Sequence, residues 1–404
     1  MTDHQRIDVA DAAALVQAQL PEYPAVEVPL AQALGGILRE TVRAERDQPP
    51  FDRVTMDGIA IRYAGFASGR RQFHIRGTQG AGASEILLGA DDACVEIMTG
   101  AALPADADTV IPVERIDTAD GGASLETGYA PQARQFVHPR GSDHKADALL
   151  LEPGHRIGPT EMAVLTVSGK PTVRIAQWPK VAVISTGNEL VAVGEAMEAF
   201  QIRSSNDYAL AAALAQRGCP TPTRAHLPDD PDTLRAAIAR LHDEHEVLVL
   251  SGGVSMGKYD YVPQIMTELD VKLVFYKVLQ RPGLPMWFGI SAAGKPVFAL
   301  PGNPVSSLVC LIRYVCPGLL QAMGALPSPP MTVRLAEAVT FQADLTWFLP
   351  VKLAVSDTGE LLAQPSPTNT SGDFIGLAGT DGVVELPRGR DEFPAGFTAP
   401  LYRW

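Results

Sequence analysis

The sequence has little cysteine and no excess of positive charge, and both absences exclude classes of protein. It contains four cysteines in 404 residues, without a CxxC pair or the spacing of a metal finger. Neither a disulfide framework nor a structural zinc site is therefore predicted. Its 33 Lys and Arg residues are outnumbered by 46 Asp and Glu residues, which gives a formal net charge of -13. Because nucleic-acid binders concentrate basic residues on one face, we expect no nucleic-acid partner.

Targeting segments and two common nucleotide motifs are also absent. The first residues have no basic region followed by an apolar one, and we predict no later apolar run of about 18 residues. We therefore expect a cytoplasmic protein without membrane contact. The chain has no GxxxxGK[ST] and no GxGxxG motif, so P-loop and dinucleotide-binding interpretations lack their local support.

Hydrophobic periodicity divides the rest of the chain into segments of different type. Residues 6–20 have the pattern of an amphipathic helix, and a second helix is predicted over about 30–38. Short β-like runs between Gly, Pro and Asp clusters follow from about 45 to 139. After about 327, apolar and polar residues alternate with a period of two, which predicts a small antiparallel β-domain.

The segment between these β-rich regions indicates an open α/β sheet. PKVAVIST, EVLVLSGG and PVFALPGN are continuous apolar runs of strand length, as buried parallel strands are. Helices are predicted over 206–217, capped by Ser205 or Asn206 and closed by Gly218, and over 231–242, with Asp230 as N-cap. This alternation predicts helices on both faces of the sheet.

All three apolar runs end in loops of glycine and small polar residues, at 185–189, 251–255 and 301–304. Open α/β sheets bind ligands beyond the carboxyl ends of their strands, where glycine lets the backbone approach a phosphate. One such loop alone is more simply a tight turn with a helix cap. Three at one sheet edge favour a phosphate site.

Charged residues beside these loops suit an anion held together with a cation. The carboxylates are Glu189, Asp207, Asp229 and Asp260, with Asp57 earlier in the chain. Mg²⁺ needs one or two carboxylates plus phosphate oxygens, although Asp229 just precedes a helix and is more simply its N-cap. Lys277 and Arg281 can hold an oxyanion, with solvated surface cations as the alternative.

The same segments resemble the MoeA and gephyrin E-domain family of molybdopterin molybdenumtransferases. The matching stretches, in family order, are MDGIA (56–60), EIMTG (96–100), RGSD (140–143), STGNEL (185–190), SSN (204–206), SGGVSMG (251–257), DY (260–261), RPG (281–283) and LPGNPVS (300–306). Ordered together, they are far more specific than any one alone.

The resemblance implies a multidomain α/β and β fold around an open, MogA-like α/β domain. Its four domains here would be an extended dimerisation domain (1–44 and 141–174), an inserted β-rich domain (45–140), the α/β molybdopterin-binding domain (175–326) and a C-terminal β-barrel-like domain (327–404). It also implies an elongated homodimer, with the active cleft between the α/β domain of one subunit and the inserted domain of the other.

The activity implied is transfer of molybdenum from molybdate to adenylylated molybdopterin, with release of AMP and help from Mg²⁺ or Zn²⁺. An upstream adenylyltransferase and recipient molybdoenzymes would be further partners. The alternative is a non-catalytic paralogue that carries finished cofactor or binds peptides as a scaffold. A carboxylate and cation cluster favours chemistry, because a scaffold does not need one.

Site residues carry over from the family motifs position by position. The catalytic positions are Asp57, Glu189, Asp260, Lys277 and Arg281. The substrate-binding positions are Thr99, Asp143, Ser185, Gly252, Gly253, Ser255, Pro301, Gly302, Asn303 and Ser371. The metal ligands are Glu189, Asp229 and Asp260. The chain departs from the family pattern at Ile59, Leu284 and Pro350, where Tyr, Lys and Arg are frequent.

Overall fold

The computed structural model describes residues 6–254 and 261–404, which form two compact units. The larger unit comprises Met1–Glu40, Pro153–Gly158 and Thr172–Trp404, and the smaller one Thr41–Glu152 and Pro159–Pro171. The division into four domains stays a prediction. Ser255 and Asp260, both predicted site residues, lie outside the described residues.

The larger unit contains the predicted open α/β sheet. Its strands are β1 (Val181–Thr186), β2 (Thr223–Leu227), β3 (Val247–Ser251), β4 (Val271–Tyr276), β5 (Trp287–Ser291) and β6 (Pro296–Leu300), in the order β2-β1-β3-β6-β5-β4. Strands β2, β1, β3 and β6 are parallel, and β5 runs antiparallel to both neighbours. The three apolar runs are therefore adjacent parallel strands, as predicted. Their carboxyl ends meet at one sheet edge.

Helices cover both faces of this sheet. They are α1 (Asn206–Gln216), α2 (Pro231–Glu244), α3 (Val262–Glu268) and a long helix, α4, made of Pro304–Cys310, a π-helical turn at Leu311–Val315, and Cys316–Ala322. Side chains of a strand alternate between faces. Val183 of β1 accordingly packs in one core with Leu214 of α1, while Ile184 packs in another with Ile238 of α2. The α/β fold class is confirmed.

The predicted helix boundaries agree with the structure where local signals were strong. The Asp230 side chain accepts a hydrogen bond from the Thr233 N–H at 2.9 Å, so α2 has the predicted N-cap. Helix α1 is followed by Gly218 in the left-handed region, with φ +97°. The first helix spans Val9–Gln19.

The helix predicted over 30–38 is wrong, because only a 3₁₀ turn, Leu30–Gln32, forms there. The backbone N–H groups of Gly35 and Leu38 donate to the carbonyl groups of Ile157 and His155, at 2.8 and 2.9 Å, instead of closing helical turns. Pairing with a segment distant in sequence thus outweighs a weak local helix signal.

The prediction that the chain has no later apolar run of about 18 residues also needs correction. Among the described residues, the helix Pro304–Ala322 is long and apolar enough to cross a membrane. However, 72% of its apolar window is buried within the protein. Gly318 lets the first helix pack closely on it, since a Cβ there would lie 2.7 Å from Val16 Cγ1. A central core helix passes the same length and composition test, so the finding is weak evidence for a membrane.

The C-terminal part of the larger unit is a closed β-domain. Its strands are Gln280–Arg281, Met331–Leu335, Thr346–Val355, Leu361–Pro365, Gly382–Leu386 and Thr398–Arg403. Pairing of Thr346–Val355 with both Leu361–Pro365 and Gly382–Leu386 closes the last five strands into a ring. Most pairs are antiparallel as predicted, but Met331–Leu335 pairs parallel with Leu361–Pro365. Two-stranded ladders join Val339–Thr340 to Glu392–Phe393 here, and Ala25–Pro29 to Thr172–Ala176 elsewhere in this unit.

The smaller unit is built on a six-stranded mixed sheet. Its strands, in spatial order, are Thr109–Pro112, Gly58–Ile61, Ala93–Ile97, Gln72–Gln79, Gly122–Leu125 and Ile116–Ala119. Two short ladders, Arg53–Val54 with Val137–His138 and Val42–Arg43 with Leu149–Leu151, accompany the helices Tyr63–Ala67 and Pro159–Val167. The short β-like runs predicted between 45 and 139 are therefore present.

Candidate functional site

A cavity of about 450 Å³ opens at the carboxyl ends of β1, β3 and β6, and we call it the edge pocket. The three predicted loops line it, joined by residues of the segment 202–206. The predicted site residues in its lining are Glu189, Asp229, Gly252, Gly253, Pro301, Gly302 and Asn303. Ser185 is fully buried in β1 and is not part of the lining.

Glycine is required in the loop after β3 because neighbouring atoms approach the backbone closely. Gly252 has φ +101°, and a Cβ there would lie 2.8 Å from both the carbonyl oxygen and Oγ1 of Thr186. Gly253 has φ +68°, and its Cβ would lie 2.8 Å from Val262 Cγ2. Both positions favour glycine in conformation and in space, so this loop can bring its backbone up to a ligand.

Asn206 holds the loops of the edge pocket together. Its Nδ2 donates to Ser251 Oγ at 2.8 Å and to the Gly302 carbonyl at 2.7 Å. Ser251 Oγ in turn donates to the Pro301 carbonyl at 3.1 Å. Within the described residues, the buried oxygens Asn206 Oδ1 and Thr186 Oγ1 have no hydrogen-bond partner. The sequence marked Asn206 only as a candidate helix cap and as part of the SSN stretch, so this role in joining the loops was missed.

The edge pocket carries carboxylates. Within residues 6–254 and 261–404, no hydrogen bond or ion pair engages the Glu189 carboxylate. The side chain of Asn188 accepts a hydrogen bond from the Asp229 N–H at 3.1 Å, and the helix cap is Asp230. The interpretation of Asp229 as an N-cap is therefore wrong. No histidine or cysteine occurs in the described lining, and the described residues contain no group of three His, Cys, Asp or Glu residues around one point.

A second cavity, of about 510 Å³, lies between this sheet edge and the C-terminal β-domain, and we call it the junction pocket. Arg281 and Ser371 line it, as do the hydroxyl-bearing Thr368 and Thr370. In the described part of the chain the exposed Arg281 side chain has no hydrogen bond or ion pair. Leu284 and Pro350, two of the departures from the family pattern, belong to the same lining.

The two pockets adjoin, because both include Pro285, Pro301 and Asn303 in their linings. Asn303 Nδ2 donates to Ser371 Oγ at 2.7 Å. Two predicted site residues, 68 positions apart, are thus in direct contact. The lining of the junction pocket also includes Phe341 and Trp347, whose rings stack with centroids 4.8 Å apart.

Lys277 lies outside the described linings of both pockets. Its Nζ is 5.1 Å from the ring centroid of Tyr276, and its backbone has φ +68°. The described linings of these two pockets therefore contain Arg281 but not Lys277.

The smaller unit holds the remaining predicted residues. Asp57 Oδ1 accepts hydrogen bonds from the hydroxyl and the backbone N–H of Thr99, both at 2.7 Å, and these bonds hold the pKa of Asp57 below its usual value. Asp143 Oδ1 lies 2.8 Å from Nε2 of His138. Position 58 has no room for a larger residue than glycine, since a Cβ there would lie 1.8 Å from the Ile111 carbonyl oxygen.

The chain has an open α/β domain followed by a closed β-domain. The strand-end loops of the α/β domain carry glycines and carboxylates. Proteins with such a domain bind ligands at the sheet edge formed by the carboxyl ends of the strands. Three family profiles match the chain. They are described as "MoeA N-terminal region (domain I and II)" over residues 7–169, "Probable molybdopterin binding domain" over 182–321, and "MoeA C-terminal region (domain IV)" over 332–404. The chain belongs to the MoeA family.

Full-length relatives agree with this assignment. The chain is 39% identical over 399 residues to a protein of Synechocystis sp. named molybdopterin molybdenumtransferase, covering 98% of this chain and 100% of the relative. A Staphylococcus aureus protein of the same name is 31% identical, covering 98% and 95%. The crystal structure of a molybdopterin biosynthesis MoeA protein from Pyrococcus horikoshii has a TM-score of 0.82 and 31% identity, covering 99% of each chain.

Proposed function

We propose that this protein is a molybdopterin molybdenumtransferase, which transfers molybdenum from molybdate to adenylylated molybdopterin and releases AMP. The observation that carries the proposal is the pair of adjoining pockets: the edge pocket has the carboxylates Glu189 and Asp229 beside Arg203, and the described lining of the junction pocket has Arg281 and no carboxylate. Such a pair suits a reaction that joins a phosphorylated organic substrate to an inorganic oxyanion. Relatives that carry this enzyme name over their full length support it.

The edge pocket would receive the phosphates of the substrate together with Mg²⁺. Glu189 and Asp229 supply two carboxylates, the number that protein Mg²⁺ sites typically use beside phosphate oxygens. Thr186 and Asn206 are polar residues of the same lining. Zn²⁺ prefers nitrogen and sulfur ligands, and no histidine or cysteine occurs in the described lining. The donor set therefore fits Mg²⁺ better than Zn²⁺.

When bound, Mg²⁺ would supply positive charge that polarises a phosphate group. Glu189 and Asp229 would hold the ion in place. The backbone of Gly252 and Gly253 would let the phosphates lie close to the sheet edge. Carboxylates without a bound cation would repel phosphates, so binding of the nucleotide part should depend on Mg²⁺.

The junction pocket would hold the oxyanion. The Arg281 guanidinium offers a forked set of donors without a partner in the described residues. Ser371, fixed by Asn303, adds a hydroxyl within the same lining. Molybdate would then lie beside the phosphates, because the two pockets share a wall.

The proposal extends to a homodimer in which Asp57, Thr99 and Asp143 of the smaller unit complete the site. Its support is the family resemblance and the exposed position of these three side chains. Light scattering at micromolar concentration tests it, and a fully active monomer would overturn it. The carrier or scaffold alternative is not favoured by the names of the relatives reported above.

The decisive experiment supplies purified protein with adenylylated molybdopterin, molybdate and Mg²⁺. We expect AMP release together with a product that activates a cofactor-free molybdenum enzyme. Glu189→Gln is the matched variant, since it keeps the size of the side chain and removes its charge. Wild-type protein that releases no AMP and activates no enzyme would contradict the proposed function.

A further inference from the structure

A buried polar network lies directly behind the loop that carries Arg281. Gln280 is 0% exposed, whereas Arg281 is exposed at the junction pocket. The two residues form a short strand paired parallel with Thr346 and Trp347. Successive side chains of a strand point to opposite faces, so Gln280 enters the core on the side away from Arg281.

The Gln280 amide uses all of its polar atoms inside the core. Its Nε2 donates to the Pro282 carbonyl at 2.9 Å and to Cys310 Sγ at 3.6 Å. Its Oε1 accepts a short hydrogen bond from the Tyr314 hydroxyl. Cys310 Sγ in turn donates to the Gly283 carbonyl at 3.7 Å. The network thus donates hydrogen bonds to the backbone carbonyl groups of Pro282 and Gly283, the two residues that follow Arg281.

The loop packs on the network without room for a side chain. Gly283 has φ +100°, and a Cβ there would lie 2.5 Å from Gln280 Nε2 and 2.7 Å from Cys310 Sγ. Burial raises the pKa of both Cys310 and Tyr314. Both groups therefore stay protonated and remain available as donors.

The far side of the network is equally constrained. Tyr314 belongs to the π-helical turn Leu311–Val315, a feature that is rare and often found at functional sites. Its neighbour Arg313 forms a 2.7 Å ion pair with Glu385, a residue of the C-terminal strand Gly382–Leu386. Helix α4 therefore presents Tyr314 to Gln280 from a position tied to the C-terminal β-domain.

We propose that Gln280, held by Tyr314 and Cys310, is a positioning residue that fixes the loop 281–283 and thereby the Arg281 guanidinium in the junction pocket. The inference rests on the proposed function, in which Arg281 holds the oxyanion. Gln280 borders the junction pocket, but it is 0% exposed and its amide is engaged by Pro282, Cys310 and Tyr314. Its effect on binding must therefore pass through Arg281.

A double-mutant cycle with molybdate as the probe tests this coupling. Calorimetric titration would compare wild type, Gln280→Leu, Arg281→Ala and the double variant. We expect Gln280→Leu to weaken molybdate binding about tenfold in the wild-type background. In the Arg281→Ala background it should change the dissociation constant less than about twofold, because the group that it positions is already gone.

Two further variants separate positioning from stability. Tyr314→Phe deletes a single hydroxyl and should weaken molybdate binding about threefold, which keeps the test valid if Gln280→Leu does not fold. Val309→Ala, at a fully buried position next to Cys310, should lower the melting temperature and leave the molybdate dissociation constant unchanged.

The outcomes are distinguishable. Unchanged molybdate binding by Gln280→Leu and Tyr314→Phe, with Arg281→Ala impaired, would overturn this inference and leave the proposed function intact. Effects of Gln280→Leu that multiply with those of Arg281→Ala would also overturn it. If Arg281→Ala bound molybdate as wild type does, the oxyanion role of Arg281 would fall, and this inference with it.

Discussion

The edge pocket and the junction pocket share a wall but are built by different means. The edge pocket follows from the sheet itself, since adjacent parallel strands place three loops and their carboxylates at one edge. The junction pocket requires the C-terminal β-domain, which contributes Trp347, Ser371 and the threonines beside it. The described lining of the edge pocket therefore combines two carboxylates with Arg203, whereas that of the junction pocket has Arg281 with hydroxyl groups and no carboxylate. In the proposed function, the edge pocket would receive a metal-bound phosphate and the junction pocket a separate oxyanion.

The largest expected effect comes from blocking the edge pocket alone. Gly252→Ala would place a methyl group 2.8 Å from Thr186, which must displace the loop. A displacement of about 1 Å at a reacting group can cost roughly 100-fold in rate, so we expect AMP release to fall about 100-fold while molybdate binding stays within about twofold. Gly294→Ala is the control, because Gly294 also has positive φ (+76°) but has no atom within 4 Å of its Cβ position. Equal losses in the two variants would show that backbone strain, not the pocket, is responsible.

A smaller effect is expected when a carboxylate of the edge pocket is neutralised. Glu189→Gln removes a carboxylate of the edge pocket, and loss of an interaction worth about 2 kcal/mol would weaken Mg²⁺ binding about 30-fold. Molybdate binding measured without nucleotide should not change. Glu195→Gln, outside both linings, serves as control. Mg²⁺ titration of AMP release gives the affinity, and an unchanged value would remove Glu189 from the metal site.

At the junction pocket we expect a substitution to weaken the binding of molybdate. Arg281→Ala should weaken molybdate binding about tenfold, the equivalent of about 1.5 kcal/mol for a charge-assisted hydrogen bond. Arg281→Lys keeps the charge and loses the forked geometry, so its affinity should lie between those of the wild type and the Ala variant. Calorimetric titration of molybdate into the three proteins decides it. An Ala variant within twofold of wild type would return Arg281 to the class of solvated surface cations.

The smallest effect extends the comparison to Asp57 of the smaller unit, whose carboxylate accepts two hydrogen bonds from Thr99. Thr99 lowers the pKa of folded Asp57, so this carboxylate stabilises the fold above its unfolded value of about 3.8 and loses that contribution as the pH falls through the lower folded pKa. Thr99→Val should therefore lower the melting temperature slightly near neutral pH and converge with wild type in acid. A difference that persists unchanged at the lowest pH would contradict this linkage.

Short-range sequence signals predicted the elements that support the edge pocket. Continuous apolar runs predicted β1, β3 and β6, and Asp230 predicted the start of α2, because burial and capping depend on neighbouring residues. The same reasoning failed at 30–38, where pairing with residues 155 and 157 replaces a helix. It also assigned Asp229 to the helix cap that Asp230 provides.

The sequence by itself determined the open α/β fold, its glycine-rich loops and, through ordered motifs, membership of the MoeA family. Only the tertiary structure decided which of these residues meet. Arg281 reaches Trp347 through a two-residue parallel pairing, and Ser371 meets Asn303 across 68 positions. Gln280 gave no local signal, because an isolated amide in a sequence has no periodicity to mark it. Its importance arises from three hydrogen-bond partners up to 34 residues away, which are set by how the long helix packs against the loop.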